Sequence, residues 1–221
     1  APHMTEVIAD DGSELLIDPV NTPFSAFVFK IQANMDPKHR DSTAFLRIVS
    51  GLFERDMVVK HARLKKDVRL SHSHSLVARE RNILDAAYPG DILGVTNPGM
   101  FAIGDTISVT GGFRFKPMPQ FPPEVVAQIR PLDVTKRKAF DKGIKQLSEE
   151  GTVQVLYSRE NPSAEPYVAA VGKLQFDVMQ YRLRDEYSVP TKLDILPYQF
   201  GAWLVGDPST FKKPSSALIA R

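Results

Sequence analysis

The chain has 221 residues, 43% of them apolar and 24% charged, and its 28 lysines and arginines against 26 aspartates and glutamates leave a net charge of +2. These proportions describe a globular protein able to bury its own core, in one large domain or two ordinary ones, and exclude a disordered chain. The absence of cysteine excludes disulfides, thiolate metal sites and cysteine nucleophiles, no apolar run is long enough to span a membrane, and the charge excess is too small to argue for nucleic acid by itself.

The opening Ala1-Pro2-His3-Met4 reads as a cloning remnant, which implies an excised piece of something longer. Residues 5–22 carry Asp10, Asp11, Gly12, Asp18, Pro19 and Asn21 and read as an irregular lead-in, so residues 1–22 are set apart from the folded part. From Phe27 the period is two. Phe27, Phe29, Ile31 and Ala33 are expected on one face, and Lys30, Gln32 and Asn34 on the other. Ala44, Leu46 and Ile48 repeat the pattern, and 57–64, 91–96 and 105–110 read as further strands. Turn signals at Ser50-Gly51, Pro89-Gly90, Pro98-Gly99 and Gly111-Gly112 separate them, and many short strands so spaced predict a small antiparallel β-barrel over 23–115.

Residues 116–123 hold four prolines, which bias the backbone to extended conformations and predict a linker. Beyond it the period changes. A strand at 125–129 precedes a helix from Lys136 to Glu150, capped by Thr135, striped by Ala139, Phe140, Ile144 and Leu147 and stopped by Gly151. Strands at 153–157 and 167–171 flank a polar loop. A second helix over Lys173–Tyr187 carries two apolar rows, Leu174, Val178, Tyr181 and Phe176, Met179, Leu183; a strand at 191–196 follows. The order β-α-β-β-α-β is the ferredoxin-like pattern, so 124–221 is expected to be an α+β domain. One more strand is expected at Ala202–Val205, and the tail does not complete a domain.

Chemical motifs are sparse. The phosphate-cradling Gly-x-x-x-x-Gly-Lys-Ser/Thr pattern fails at Gly172-Lys173, where Leu174 follows and Tyr167 stands in place of the first glycine. His72 and His74 could share a strand face, but neither a third nor a fourth metal ligand accompanies them. His39 beside Asp36 and Asp41 is the one acid–base constellation, and it would support a small hydrolase; the same residues also make an ordinary exposed turn, without the burial that tunes a pKa. No catalytic residue and no metal site is assigned. Basic residues cluster in the barrel region, among them Lys38, Arg40, Arg47, Arg55, Lys60, Arg63, Lys65, Lys66 and Arg69, as suits either phosphate contacts or a soluble surface. Phe53 could stack on a base, but an aromatic near a hairpin more often covers the barrel end.

Three pieces in order, Leu46-Arg47-Ile48-Val49-Ser50-Gly51, Ala87-Tyr88-Pro89-Gly90-Asp91-Ile92-Leu93-Gly94 and Ile103-Gly104-Asp105-Thr106, resemble the second domain of translational GTPases. Gly172 to Asp177, Arg182-Leu183 and Glu186-Tyr187-Ser188-Val189 are similar to the third domain of elongation factor G. The stretches 29–41, 146–155 and 171–183 narrow the resemblance to bacterial peptide chain release factor three, over residues 24–205, with departures at 71–82, 113–118 and after Gly206. An elongation factor G or ribosome-protection relative is the rival within the class. The resemblance implies the cytoplasmic, monomeric, ribosome-binding part of a termination GTPase that promotes departure of class-one release factors. GTP and Mg would belong to an upstream domain, leaving this chain non-enzymatic and without a cofactor. The implied partners are the small ribosomal subunit, through its RNA and a ribosomal protein, and the upstream GTP-binding domain; class-one release factors are met only indirectly. On that reading Lys38 and Arg40 face RNA phosphates, His39 is a spacer or stacking partner, and Lys65, Lys66 and Arg69 are secondary RNA contacts. A third possibility is a scaffold whose basic face binds mainly its own nucleotide domain.

Overall fold

The structure, a computed structural model, describes residues 2–33, 42–71, 74–77, 80–83, 85–119, 121–158, 161, 164–198, 201, 202, 206, 210 and 212, with side chains for all of these except Ala33 and the residues from 74 to 83. Two compact units divide it, residues 1–119 and 120–221, parting inside the proline-rich stretch.

The first unit is all β. Its strands are β1 (Thr5–Ala9), β2 (Glu14–Ile17), β3 (Ser25–Ala33), β4 (Ser42–Ser50), β5 (Phe53–Glu54), β6 (Val58–His61), β7 (Lys66–Arg69), β8 (His74–Val77), β9 (Glu80–Ile83), β10 (Ala86–Ala87), β11 (Ile92–Asn97), β12 (Thr106–Ser108) and β13 (Phe113–Phe115). Eight form one antiparallel sheet in the order β7-β6-β12-β3-β4-β11-β8-β9. Val68 of β7 shares a single core with Val28, Leu46 and Leu93, although β7 and β11 stand five places apart. A flat sheet could not bring them together, so this one curls around its apolar face, as the expected barrel requires. Phe53 lies wholly inside that core, 5.9 Å from the Phe24 ring.

The lead-in is not irregular. β1 and β2 pair as a hairpin, β1 also pairs with β13, and Val7, Ile17, Phe113 and Phe115 bury a small second core beneath Phe27 and Val49. The acidic turn residues between β1 and β2 disguise two short strands, of which β1 has its second partner a hundred residues on. The face assignment of β3 also changes. Pairing with β4 slips between Val28 and Lys30, leaving Phe29 as a bulge residue. Ala26 and Val28 face the core before the bulge and Ile31 after it, while Phe27 packs on the second core. One extra residue reverses the alternation, so a strict period of two cannot hold through it. The single strand expected over 57–64 is instead the β6–β7 hairpin, broken after His61.

The second unit contains β14 (Val125–Pro131), a 3₁₀ turn (Val134–Lys136), α1 (Arg137–Glu149), β15 (Gln154–Leu156), β16 (Tyr167–Ala170), α2 (Lys173–Tyr187) and β17 (Thr191–Ile195). The sheet order β15-β16-β14-β17 is antiparallel throughout, which is the ferredoxin-like arrangement. Phe140, Ile144 and Leu147 of α1 join Phe176, Met179 and Leu183 of α2 in covering one sheet face. The helices touch at Gly143, where a Cβ would stand 2.7 Å from Leu183 Cδ2. The cap of the first helical segment is Asp133 rather than Thr135: Asp133 Oδ1 accepts from the Thr135 N–H (2.8 Å) and hydroxyl (2.6 Å), opening a 3₁₀ turn before α1. Of the strand expected at 202–205, all but Ala202 lies outside the described residues.

Candidate nucleic-acid interface

The described part of the expected RNA site is the β6–β7 hairpin. Val59 and Val68 face each other across it and enter the core, which puts Lys60 opposite Asp67 and Val58 opposite Arg69 on the outer face. The turn closes with the Lys65 N–H donating to the His61 carbonyl at 2.9 Å, and Lys65 takes a left-handed φ of 52° to do so. Lys65 and Lys66 therefore sit together at the tip. Arg69 lies three residues further on β7 and on the opposite face from Lys66, so the hairpin does not gather the three cations into one patch.

The apparent basic excess is also reduced by internal pairing. Lys60 reaches Asp67 (3.3 Å), Lys65 reaches Asp10 (3.6 Å) and Arg55 reaches Asp85 (3.2 Å). Among the described residues no carboxylate lies within ion-pair distance of the exposed Lys66 and Arg69. Lys38, His39 and Arg40, with Asp36 and Asp41, lie outside the described residues, as does His72; of His74 only the backbone is described, in β8 opposite Gly94. The described ends of that loop are paired, Ala33 with Ser42, and the Ser42 hydroxyl donates to the Asn97 carbonyl at 3.3 Å.

Arg63 is spent structurally. Its Nε and Nη2 donate to the two Asp105 oxygens at 2.6 and 2.7 Å, and Nη2 also reaches the Met100 carbonyl at 2.9 Å. Asp105 further accepts from the Ala102 N–H at 2.7 Å. His61 Nδ1 accepts from the Leu64 N–H (3.3 Å), which leaves the ring hydrogen on Nε2, 3.1 Å from Asp105 Oδ2 but off the line of a straight hydrogen bond. Burial by itself would raise the Asp105 carboxyl; the Arg63, His61 and Ala102 donors outweigh it and hold the group well below the usual carboxylate range. This His–Asp pair has no catalytic access, because the imidazole is wholly buried and stacked on Phe101 at 5.5 Å. It ties the β6–β7 hairpin to the turn before β12.

In the second unit Arg182 joins α2 to α1. It donates to Glu150 at 2.5 Å and to both oxygens of Glu186 at 2.7 and 2.9 Å, while the Tyr187 hydroxyl donates to Gln146 Oε1 at 2.5 Å. Burial, aided by nearby Glu186 and Glu150, pushes the Tyr187 phenol up to about 12. An open cleft of about 600 Å³ is lined by Arg130, Leu132, Val134, Arg137, Glu165 and Lys192, among others. Its cations are matched: Arg137 by Glu165 (2.8 Å), Lys192 by Asp194 (3.3 Å) and Arg130 by Asp194 (4.0 Å). Among the described residues no cluster of three histidines or carboxylates could hold a metal ion. The lysines on the outer side of α1 escaped the sequence reading, which followed only its apolar stripe, although their spacing was visible.

Residues 23–110 match the family model described as elongation factor G domain 2, and residues 115–220 match that of class II release factor RF3, C-terminal domain. The matches fall in tandem on the two compact units. The chain belongs to the peptide chain release factor 3 family, and the part it matches is C-terminal. It is 49% identical over 197 residues to peptide chain release factor 3 of Nostoc punctiforme, covering 89% of this chain and 36% of that protein. With the protein of the same name from Symbiobacterium thermophilum it shares 50% over 196 residues, 89% of this chain and 37% of the relative. The chain thus spans little more than a third of the release factor 3 sequences it matches. A crystal structure of a Thermus thermophilus protein superposes with a TM-score of 0.64 at 21% identity, over 78% of this chain and 26% of that one, and supports the fold alone. The elongation-factor rival gives way at residues 115–220, where the release-factor model matches.

Proposed function

We propose that this chain is the ribosome-docking part of a termination GTPase whose upstream domain binds GTP and Mg and whose cytoplasmic action frees class-one release factors after peptide release. The observation that carries the reading is the tandem match: a translation-factor β unit followed by a release-factor C-terminal unit, at about half identity to release factor 3 across both. The chain itself performs no hydrolysis on this reading. It grips small-subunit RNA and a ribosomal protein as a monomer and passes the nucleotide state of the upstream domain on as a rigid-body change.

The RNA contacts are Lys38 and Arg40, with His39 between them, and on the described surface Lys66 and Arg69. Lys65 contributes less because Asp10 already engages it. Lysine and arginine on barrel loops supply attraction that positions without reading sequence. Ribosome pelleting between about 50 and 200 mM salt tests this. Each phosphate contact releases about 0.7–0.9 of a counterion, so Lys66→Ala/Arg69→Ala should lower the salt slope by roughly 1.6 and leave stability unchanged. Pelleting of the unaltered chain that is indifferent to salt would refute the docking role. An unchanged slope in the double variant would refute the assignment of these two residues.

A further inference from the structure

The outer side of α1 carries three lysines, Lys138, Lys142 and Lys145, at i, i+4 and i+7. Helix geometry places them within about 60° of one another around the axis and about 6 and 10.5 Å along it from the first. Lys138 and Lys142 have no carboxylate within ion-pair distance among the described residues, and Lys145 has only Glu149, at 3.8 Å. Asp141, on the same helix, is drawn to Arg137 at 3.0 Å. The opposite side of the helix is consumed by the core through Phe140, Ile144 and Leu147, so the lysine face is left outside it.

We propose that the lysine row of α1 is a contact for the phosphate backbone of RNA, separate from the cations of the β unit. Three observations select that partner. A line of cations, two of them unmatched among the described residues, complements a line of phosphates. The helix exposes no large apolar side chain that could anchor a protein interface, and lysine is depleted in such interfaces. The row also lacks aromatic side chains on which unpaired bases could stack, so it meets backbone rather than base and reads no sequence. The inference rests on the proposed RNA-docking role and adds a second point of attachment, in the release-factor unit, which would fix the orientation of that unit on the RNA.

The test compares the whole 221-residue chain with its Lys138→Gln/Lys142→Gln/Lys145→Gln variant. The probe is an RNA duplex of about 16 base pairs, followed by anisotropy across a salt series. The glutamine variant should lower the salt slope by roughly 2.4 and weaken binding at about 50 mM salt by about tenfold or more, with an unchanged thermal melt. A triple arginine variant keeps the charge and should keep the slope. If the glutamine variant binds with the original slope while Lys66→Ala/Arg69→Ala reduces it, the α1 face is only solvated: the inference fails and the docking role stands. If the unaltered chain shows no salt-sensitive binding to the duplex or to ribosomes, both fall. A poly-glutamate tracer that depends on the three lysines when the RNA does not would assign the face to an acidic protein and overturn the proposal.

Discussion

Replacing Asp105 with alanine should destabilise the β unit by about 4 kcal/mol. The carboxylate is 4% exposed and is approached by four donors: two from Arg63, the Ala102 N–H, and the His61 ring nitrogen 3.1 Å away. The Arg63 side chain is half exposed and can turn back to water, so its share of the loss is small, about 0–1 kcal/mol. The His61 ring is wholly buried and the Ala102 amide partly so, and a buried donor left without its partner costs about 1–3 kcal/mol. Asp105→Asn keeps the shape but loses the charge, and should cost less, about 2 kcal/mol. The pH dependence has a definite sign. The folded carboxyl is held below its unfolded value, so its stabilisation is complete above the unfolded carboxylate range, about pH 4, and disappears as pH falls through the folded value. The advantage of the unaltered chain over Asp105→Asn should therefore be level between about pH 7 and 5 and shrink in acid. Because the chain has two units, the measurement is urea-dependent hydrogen exchange followed by mass spectrometry, which reports on the units separately. A loss below about 1 kcal/mol for Asp105→Ala, or a difference that fails to narrow in acid, would show that this carboxylate is not the anchor of the hairpin.

Gly51→Ala should cost the β unit about 3 kcal/mol or more, since φ is +66° and the new Cβ would stand 2.3 Å from the Phe24 main-chain nitrogen, where no side chain can yield; equal urea midpoints would contradict this. Arg182→Ala should loosen only the second unit, by about 2 kcal/mol, because it withdraws the arginine from a Glu150 that is 8% exposed, and it should raise exchange in α1 and α2 together. Exchange confined to α2 would mean that Arg182 does not join the helices.

The second unit was largely legible because local signals decide it. Lys173–Tyr187 is read as a helix from its apolar rows and observed over the same residues, and the β-α-β-β-α-β order dictates one sheet topology. The β unit was legible only where alternation ran unbroken. At Phe29 a single extra residue moves the inward positions, and no composition signal marks a bulge whose cause is the pairing with β4. β1 and β2 are short and acidic at their turn, and the strand that anchors their hairpin through β1 lies a hundred residues away, so nothing local distinguishes them from a linker. The cations fared similarly. Charge can be counted in a sequence, but pairing across the fold cannot, and Arg63 and Lys65 are engaged by Asp105 and Asp10, which lie far from them in the chain.

That distinction bears on what family motifs convey. Ser50-Gly51 is a glycine wedged against Pro23 and Phe24 and a serine whose hydroxyl meets that of Ser25 at 2.6 Å. Gly104-Asp105 is a turn whose acid fastens a hairpin, and Arg182-Leu183 with Glu186-Tyr187 is a helix-to-helix clamp. In each of these motifs at least one residue turns inward or toward a neighbouring element and helps the scaffold close, while others, Tyr88 and Leu174 among them, stay exposed. Among the described residues Lys66, Arg69, Lys138 and Lys142 have no ion-pair partner, and they do not belong to those motifs. A surface that grips a polyanion through charge alone tolerates movement of its cations by a residue or two, because phosphates repeat and lysine is long. Recognition of the family from sequence and location of its binding face are therefore separate physical questions. The first is answered by strained turns and buried pairs, the second by the charges that the fold leaves unspent.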